Sequence, residues 1–153
     1  MGDIEFFNTG LEAIFCGLMA AFIAQSLKVI IYLITHKKIN FKIFTTTGGM
    51  PSSHTAGIIA LATSLALIEG VDSTSFAVAI GMSLIVMQDA SGVRLAAGKT
   101  AATLNRVVDE FIQKNKDIKP YETLKELLGH TPFEVFCGMI LGIIIPFIVH
   151  DFS

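Results

Sequence analysis

Four apolar stretches and one amphipathic stretch set the layout of this chain. Residues 11–34, 54–69, 73–90 and 133–149 are runs of Leu, Ile, Val, Ala, Phe and Met with very few charges. Runs near or above the ~17 residues a membrane helix needs read as spans. The 54–69 run reaches that limit only when extended to Gly70. The turn Glu69-Gly70-Val71-Asp72 is so short that the spans it joins should be antiparallel neighbours. Between 97 and 129 the texture changes. Leu104, Val107, Val108, Phe111 and Ile112 recur at helical spacing, with Arg106, Asp109, Glu110 and Gln113 on the other face. This predicts an amphipathic helix lying on the membrane surface or covering the bundle. Asn115 to Pro120 breaks it, and Tyr121 to Leu128 reads as a second short helix stopped by Gly129. Thr131, Pro132 and Glu134 make a capping-box start for the last span. Within that span, Gly138 and Gly142 offer a small-residue face for close helix contact. A bilayer forbids open strand edges. The expected fold is therefore all-α: a polytopic membrane helical bundle of about four transmembrane helices plus an amphipathic segment, forming a single domain over residues 1–153.

Composition agrees with that layout. The chain is 52% hydrophobic and 16% charged, where a soluble domain carries about 25% charge. The mean hydropathy is +0.66. The lipid bilayer is an expected partner and nucleic acid is not. Charge fixes an expected orientation. Lys37, Lys38 and Lys42 lie in one loop; Arg94, Lys99, Arg106, Lys114, Lys116, Lys119 and Lys125 lie in the other long segment. With four spans both fall on one side, and the opposite side has no lysine or arginine. The positive-inside rule puts both loops in the cytoplasm and both termini outside, in the cell membrane if the source is bacterial. Asp3 and Glu5 in place of a basic cluster argue against a cleavable signal peptide. Cys16 and Cys137 sit inside apolar runs and read as small buried hydrophobes. The histidines are too dispersed for a metal set, and no cofactor is expected.

The candidate chemistry centres on Gly48-Gly49-Met50-Pro51-Ser52-Ser53-His54-Thr55. Two glycines permit a sharp path, proline stiffens it, and a serine can cap a helix starting near His54. Gly49, Ser52 and Ser53 thereby become candidates to bind an anion at a helix N-terminus. His54, Arg94 and His130 fall at span ends on one side, so the fold should gather them at one mouth. Two imidazoles, a guanidinium and helix N-termini suit phosphoryl transfer: one histidine as nucleophile, one as proton donor, arginine on the phosphate oxygens. Glu134, one turn beyond His130, is placed to orient that ring. Asp89 should point into the bundle, towards Arg94, Lys28 or His54. Asn105 either bonds the active loop or sits on the wet face. Structural readings stand beside these: His54 as a helix-start residue, Glu134 as a cap, Arg94 as an interface charge paired with Asp89, and Lys28 as an interface anchor. His36 and His150 receive no role.

Pro51-Ser52-Ser53-His54 resembles the Pro-Ser-x-His motif of the type 2 phosphatidic acid phosphatase superfamily, which includes the vanadium haloperoxidases. The whole chain resembles its divergent branch of small membrane proteins. Gly48 to Thr55, Asp89 to Leu95 with Gly98, and Leu128 to Gly138 carry the likeness. The resemblance implies a PAP2-like fold, His130 as nucleophile with Glu134 in place of the usual aspartate, and His54 as general acid. Ser53 stands where a glycine is usual, and the resemblance implies that its amide binds phosphate. The lysine-then-arginine-proline motif is not present as such; Lys28, Lys38 and Lys42 are candidates for its lysine. Arg94 is a candidate for the phosphate-binding arginine.

The function expected is a membrane phosphatase acting on a lipid phosphate or polyprenyl diphosphate through a phosphohistidine. The alternative is a non-catalytic membrane protein that binds or transports a phosphorylated lipid, or a scaffold with a reduced site. A channel or transporter built as a homodimer on Gly138-x-x-x-Gly142 is a third option.

Overall fold

A computed structural model describes residues 7–37, 48–114, 122–124, 126 and 129–151. The described residues form α1 (Gly10–His36), α2 (Ser53–Glu69), α3 (Thr74–Gln88), a π-helical turn (Asp89–Val93), α4 (Arg94–Lys114) and α5 (Pro132–His150). No strand occurs among them. α1, the α3–α4 rod and α5 are long and apolar enough to cross a membrane; α2, at 17 residues, is shorter. The protein is an integral multi-pass membrane protein.

Its packing follows from the solvent. Leu18, Phe22, Ile34, Val78, Leu84 and Ile85 all face outward, each at least 60% exposed. Lipid tails solvate such side chains as well as a protein core does, so burying them gains little. Small residues fill the interior instead. Cys16, Ala20, Ala24, Ala56 and Ala60 are fully buried in one cluster. On α1 the buried positions Glu12, Cys16, Ala20, Ala24 and Lys28 recur every fourth residue, one continuous stripe along the helix. It begins in a carboxylate and ends in an ammonium.

α2 is the hub, packed on α1, α3 and α5. A Cβ on Gly138 would lie 2.5 Å from the Ser52 carbonyl oxygen, and one on Gly142 would lie 2.7 Å from that of Ala56. Only glycine admits this approach. The small-residue face is thus spent on α2 within the chain, which removes it as the basis for a homodimer.

At the far end of the bundle from the α2 and α5 N-termini, α1 and α5 are tied together. Glu12, fully buried, accepts from the Asn8 amide at 2.7 Å, and His150 Nδ1 lies 3.2 Å from its other oxygen. His150 therefore has a structural role that its terminal position did not suggest. The pair satisfies a carboxylate that would otherwise be stranded in the membrane.

Two expectations about the second half are corrected. The third span and the amphipathic segment are one rod, Thr74–Lys114, of 41 residues, about 60 Å at 1.5 Å per residue. A bilayer core is ~30 Å thick, so the rod runs well beyond it. α4 continues α3 through the π-turn and makes no substantial contact with α1, α2 or α5; it does not cover the bundle. The short helix expected over Tyr121 to Leu128 does not form at the described positions Glu122–Leu124 and Glu126. Asn105 explains why. Its side chain accepts from the Leu124 amide at 2.9 Å and donates to the Leu124 carbonyl at 2.9 Å and Glu126 Oε1 at 2.7 Å. Those backbone groups are the ones a helix would pair internally.

Gly138→Ala and Gly142→Ala should each cost about 1–3 kcal/mol by overpacking the α2–α5 contact. Thermal unfolding in detergent should show the loss, with oligomeric state unchanged in light scattering. Loss of a dimer at unchanged protomer stability would instead place this face between copies.

Candidate active site

The site is built where three helix ends meet. Ser52 caps α2, its hydroxyl accepting from the Thr55 amide at 3.4 Å and lying 3.0 Å from the Thr55 hydroxyl. Its own amide donates to the Glu134 carbonyl at 3.1 Å. That bond and the Gly138 contact lock the N-termini of α2 and α5 side by side. Ser52 is therefore committed to structure, through both amide and hydroxyl. Ser53 and His54 occupy the first turn of α2, where amides have no partner within the helix. Ser53 is buried, while His54 is exposed at the mouth.

His130 precedes α5. Its amide donates to the Ala90 carbonyl at 2.8 Å, inside the π-turn. There the Arg94 amide reaches back to the Asp89 carbonyl, five residues away, and this shift frees a neighbouring carbonyl for an outside donor. Gly129, at φ +82°, presses on the backbone of α4: a Cβ there would sit 2.3 Å from the Leu95 nitrogen. Gly129 and the π-turn together seat His130 against the rod.

The His130 side chain is 2% exposed. Nδ1 lies 3.3 Å from Glu134 Oε2, which also accepts from the Thr131 amide at 3.0 Å. The Glu134 amide in turn donates to the Thr131 hydroxyl at 3.3 Å. The capping and orienting readings of Glu134 are thus met by one carboxylate. An ionised carboxylate only accepts, so Nδ1 carries the proton and Nε2 presents its lone pair. Among the described residues Nε2 is buried with no hydrogen-bond partner.

His130, His54, Arg94, Asp89, Val86 and Ala90 line one cavity of about 110 Å³. This is the volume of a few waters at ~30 Å³ each, room for a head group and no more. Arg94 Nε pairs with Asp89 Oδ2, which leaves the outer guanidinium nitrogens for another acceptor. Arg94 is thus paired with Asp89 and also lines the cavity.

The sequence reading left Lys28 between anchor and interior, and the structure puts it inside. It is 3% exposed, and among the described residues its Nζ has no hydrogen-bond partner. Its charge is felt at both His130 and His54. Gly49, at φ +90°, arches over its stem, and a Cβ there would be 3.9 Å from Lys28 Cδ. The every-fourth-residue stripe from Glu12 was the available signal for this burial. Lys38 and Lys42 lie outside the described residues. Asn105 stands apart from the cavity and acts on the segment leading to His130. No three His, Cys, Asp or Glu side chains converge as a metal set would among the described residues.

Burial holds the His130 imidazole below its ordinary value of 6.5, and the Lys28 ammonium pushes the same way, against the pull of Glu134; His54 adds a smaller lowering. The folded protein therefore favours the neutral ring. The unfolded chain takes up the proton first, so stability should fall as pH drops below 6.5. Histidine NMR titration should find the His130 midpoint below that value. Lys28→Met should raise it and Glu134→Gln should lower it. A midpoint unmoved by Lys28→Met would show that the amine is not beside the ring.

Among known proteins, the chain is 42% identical over 144 residues to a Bacillus subtilis (strain 168) protein named "Uncharacterized membrane protein YuiD"; the match covers 88% of this chain and 91% of that one. No solved structure matches it. Residues 10–145 match the family described as the divergent PAP2 family, a span that contains α1, α2, the π-turn, His130 and most of α5. By that match, this chain belongs to the divergent PAP2 family.

Proposed function

We propose that the protein is a membrane phosphatase acting on a lipid that carries a phosphate or diphosphate head, such as a polyprenyl diphosphate or phosphatidic acid. One observation carries the reading. A buried histidine has Nδ1 held by a carboxylate and Nε2 left open, in a head-group-sized cavity shared with a second histidine and an arginine. Family membership supports the same class.

In this mechanism the Nε2 lone pair of His130 attacks phosphorus. The bond to the leaving oxygen breaks, and His54 gives that oxygen its proton. The Arg94 outer nitrogens and Lys28 Nζ stabilise the charge on the remaining phosphate oxygens. Water, deprotonated by His54, then breaks the phosphorus–nitrogen bond and restores His130. Glu134 keeps the ring in the required tautomer throughout. The lysines and arginines of the two long loops support a cytoplasmic position for this site by the positive-inside rule.

A binding or transport role without catalysis is the second reading. It draws on Asp89, which already occupies one edge of Arg94 and weakens the anion site.

Purified protein in detergent should release phosphate from a panel of polyprenyl diphosphates and phosphatidic acid. His130→Ala should abolish release, and His54→Ala should reduce it about 10²–10⁴-fold, the usual worth of general acid catalysis. Lys28→Met should lower it with the fold intact. Release unchanged in both histidine variants would sink the mechanism, and no release from folded protein would pass the lead to the binding reading.

A further inference from the structure

An apolar crevice of about 440 Å³ runs between α1 and α2, and His54 lines both this crevice and the polar cavity. Its site end is polar, with Gln25 and Ser53; beyond that the lining is Phe22, Leu18, Ile58, Leu61 and Ile14. Two further apolar crevices among the described residues, between α2 and α3 and among α2, α3 and α5, share no residue with the polar cavity. The α1–α2 crevice therefore borders the polar cavity at His54, which those two do not reach.

Its dimensions are informative. From Gln25 to Ile14 is eleven residues of helix, about 16 Å. Half of a ~30 Å hydrocarbon core is about the same length. The crevice thus spans roughly one leaflet, starting at the depth of the phosphate. Its floor is backbone. A Cβ on Gly17 would lie 3.1 Å from the Gly57 carbonyl oxygen, and one on Gly57 would lie 3.2 Å from that of Gly17. Where two helices touch this closely, the wedge between their cylinders is narrow and closed at its base by backbone.

We infer that the α1–α2 crevice holds the hydrocarbon tail of the bound lipid and admits one chain. The preferred substrate is then a lipid phosphate with a single hydrocarbon chain rather than a diacyl phosphate. The inference rests on the phosphatase reading for its head group. Its tail site is testable without turnover.

The probe is a farnesyl diphosphate analogue with a photoreactive diazirine at the tail end, added to the full chain in detergent and mapped by mass spectrometry. Cross-links should fall on Leu18, Phe22 and Leu61, and unlabelled farnesyl diphosphate should compete them away. Ala21→Phe, at the crevice floor, should cut the yield about tenfold. Leu61→Trp blocks the same space from α2 and serves if the first variant does not fold. Labelling spread evenly over the outward faces of α3 and α5, or yield unmoved by competitor and by both variants, would overturn the tail site. In turnover, kcat/KM should favour farnesyl diphosphate over diacyl phosphatidic acid at least tenfold, and parity would overturn the single-chain claim. Competed labelling in the crevice without phosphate release would keep the tail site and reject the phosphatase.

Discussion

The contact between α2 and α5 is the constraint on which the rest depends. Gly138 and Gly142 let the two backbones meet at distances no side chain would tolerate. Because they meet there, the Ser52 amide can reach the Glu134 carbonyl, and two helix N-termini end up adjacent. That bond and its glycine neighbour bring together the helix starts that carry His54 and His130, 76 positions apart in the chain. In lipid there is no hydrophobic gain from bringing helices together, so close packing and internal hydrogen bonds must do it. The same contact that holds the bundle therefore also sets the geometry of the site.

A second consequence concerns the rod from α3 to α4. A regular α-helix across Asp89–Val93 would close all its carbonyls on its own amides. The π-turn leaves the Ala90 carbonyl for His130, and Asp89 and Arg94 then flank the spot where that histidine docks. One irregular turn thus supplies an anchor, a cation and a wall. The Asn105 clasp fixes the segment upstream of His130 onto α4, so the rod holds the histidine from two directions. At the opposite end Glu12 and His150 close the bundle. The ionisable groups in the interior thus lie at its two ends, with small apolar residues between.

Much of this was legible in the sequence because it is written in local patterns. Apolar run length gave the spans, the Thr131–Glu134 box gave the start of α5, and Gly48 to His54 marked the mouth. Topology alone then predicted that His54, Arg94 and His130 would share one end, and they line one cavity. What escaped has no local signature. Nothing in the identity of Ser91 and Gly92 distinguishes a chain break from a π-turn inside a continuous helix. The pairing of Glu12 with His150 spans 138 positions and is a product of the finished bundle. The Tyr121–Leu128 segment has helical composition, yet Asn105 bonds to its backbone from outside and overrides local preference. Lys28 lay between: its burial is implied by the four-residue stripe running back to Glu12, but only once that stripe is known to face inward.

The charge arrangement of the cavity gives the functional reading its physical logic. Of the two carboxylates near it, Glu134 is engaged by His130 and Thr131, and Asp89 by Arg94. Both anions are therefore answered within the site. The cations are not answered to the same degree. Arg94 retains its outer nitrogens, and Lys28 Nζ is buried with no hydrogen-bond partner among the described residues. An unpaired ammonium is costly to bury, so Lys28 is the member of the α1 stripe that packing alone explains least. On the phosphatase reading, a phosphate head in the cavity would meet the Arg94 guanidinium beside Nε2 of His130. On that reading the anion brings acceptors to a cavity whose neighbouring carboxylates are already engaged by protein groups.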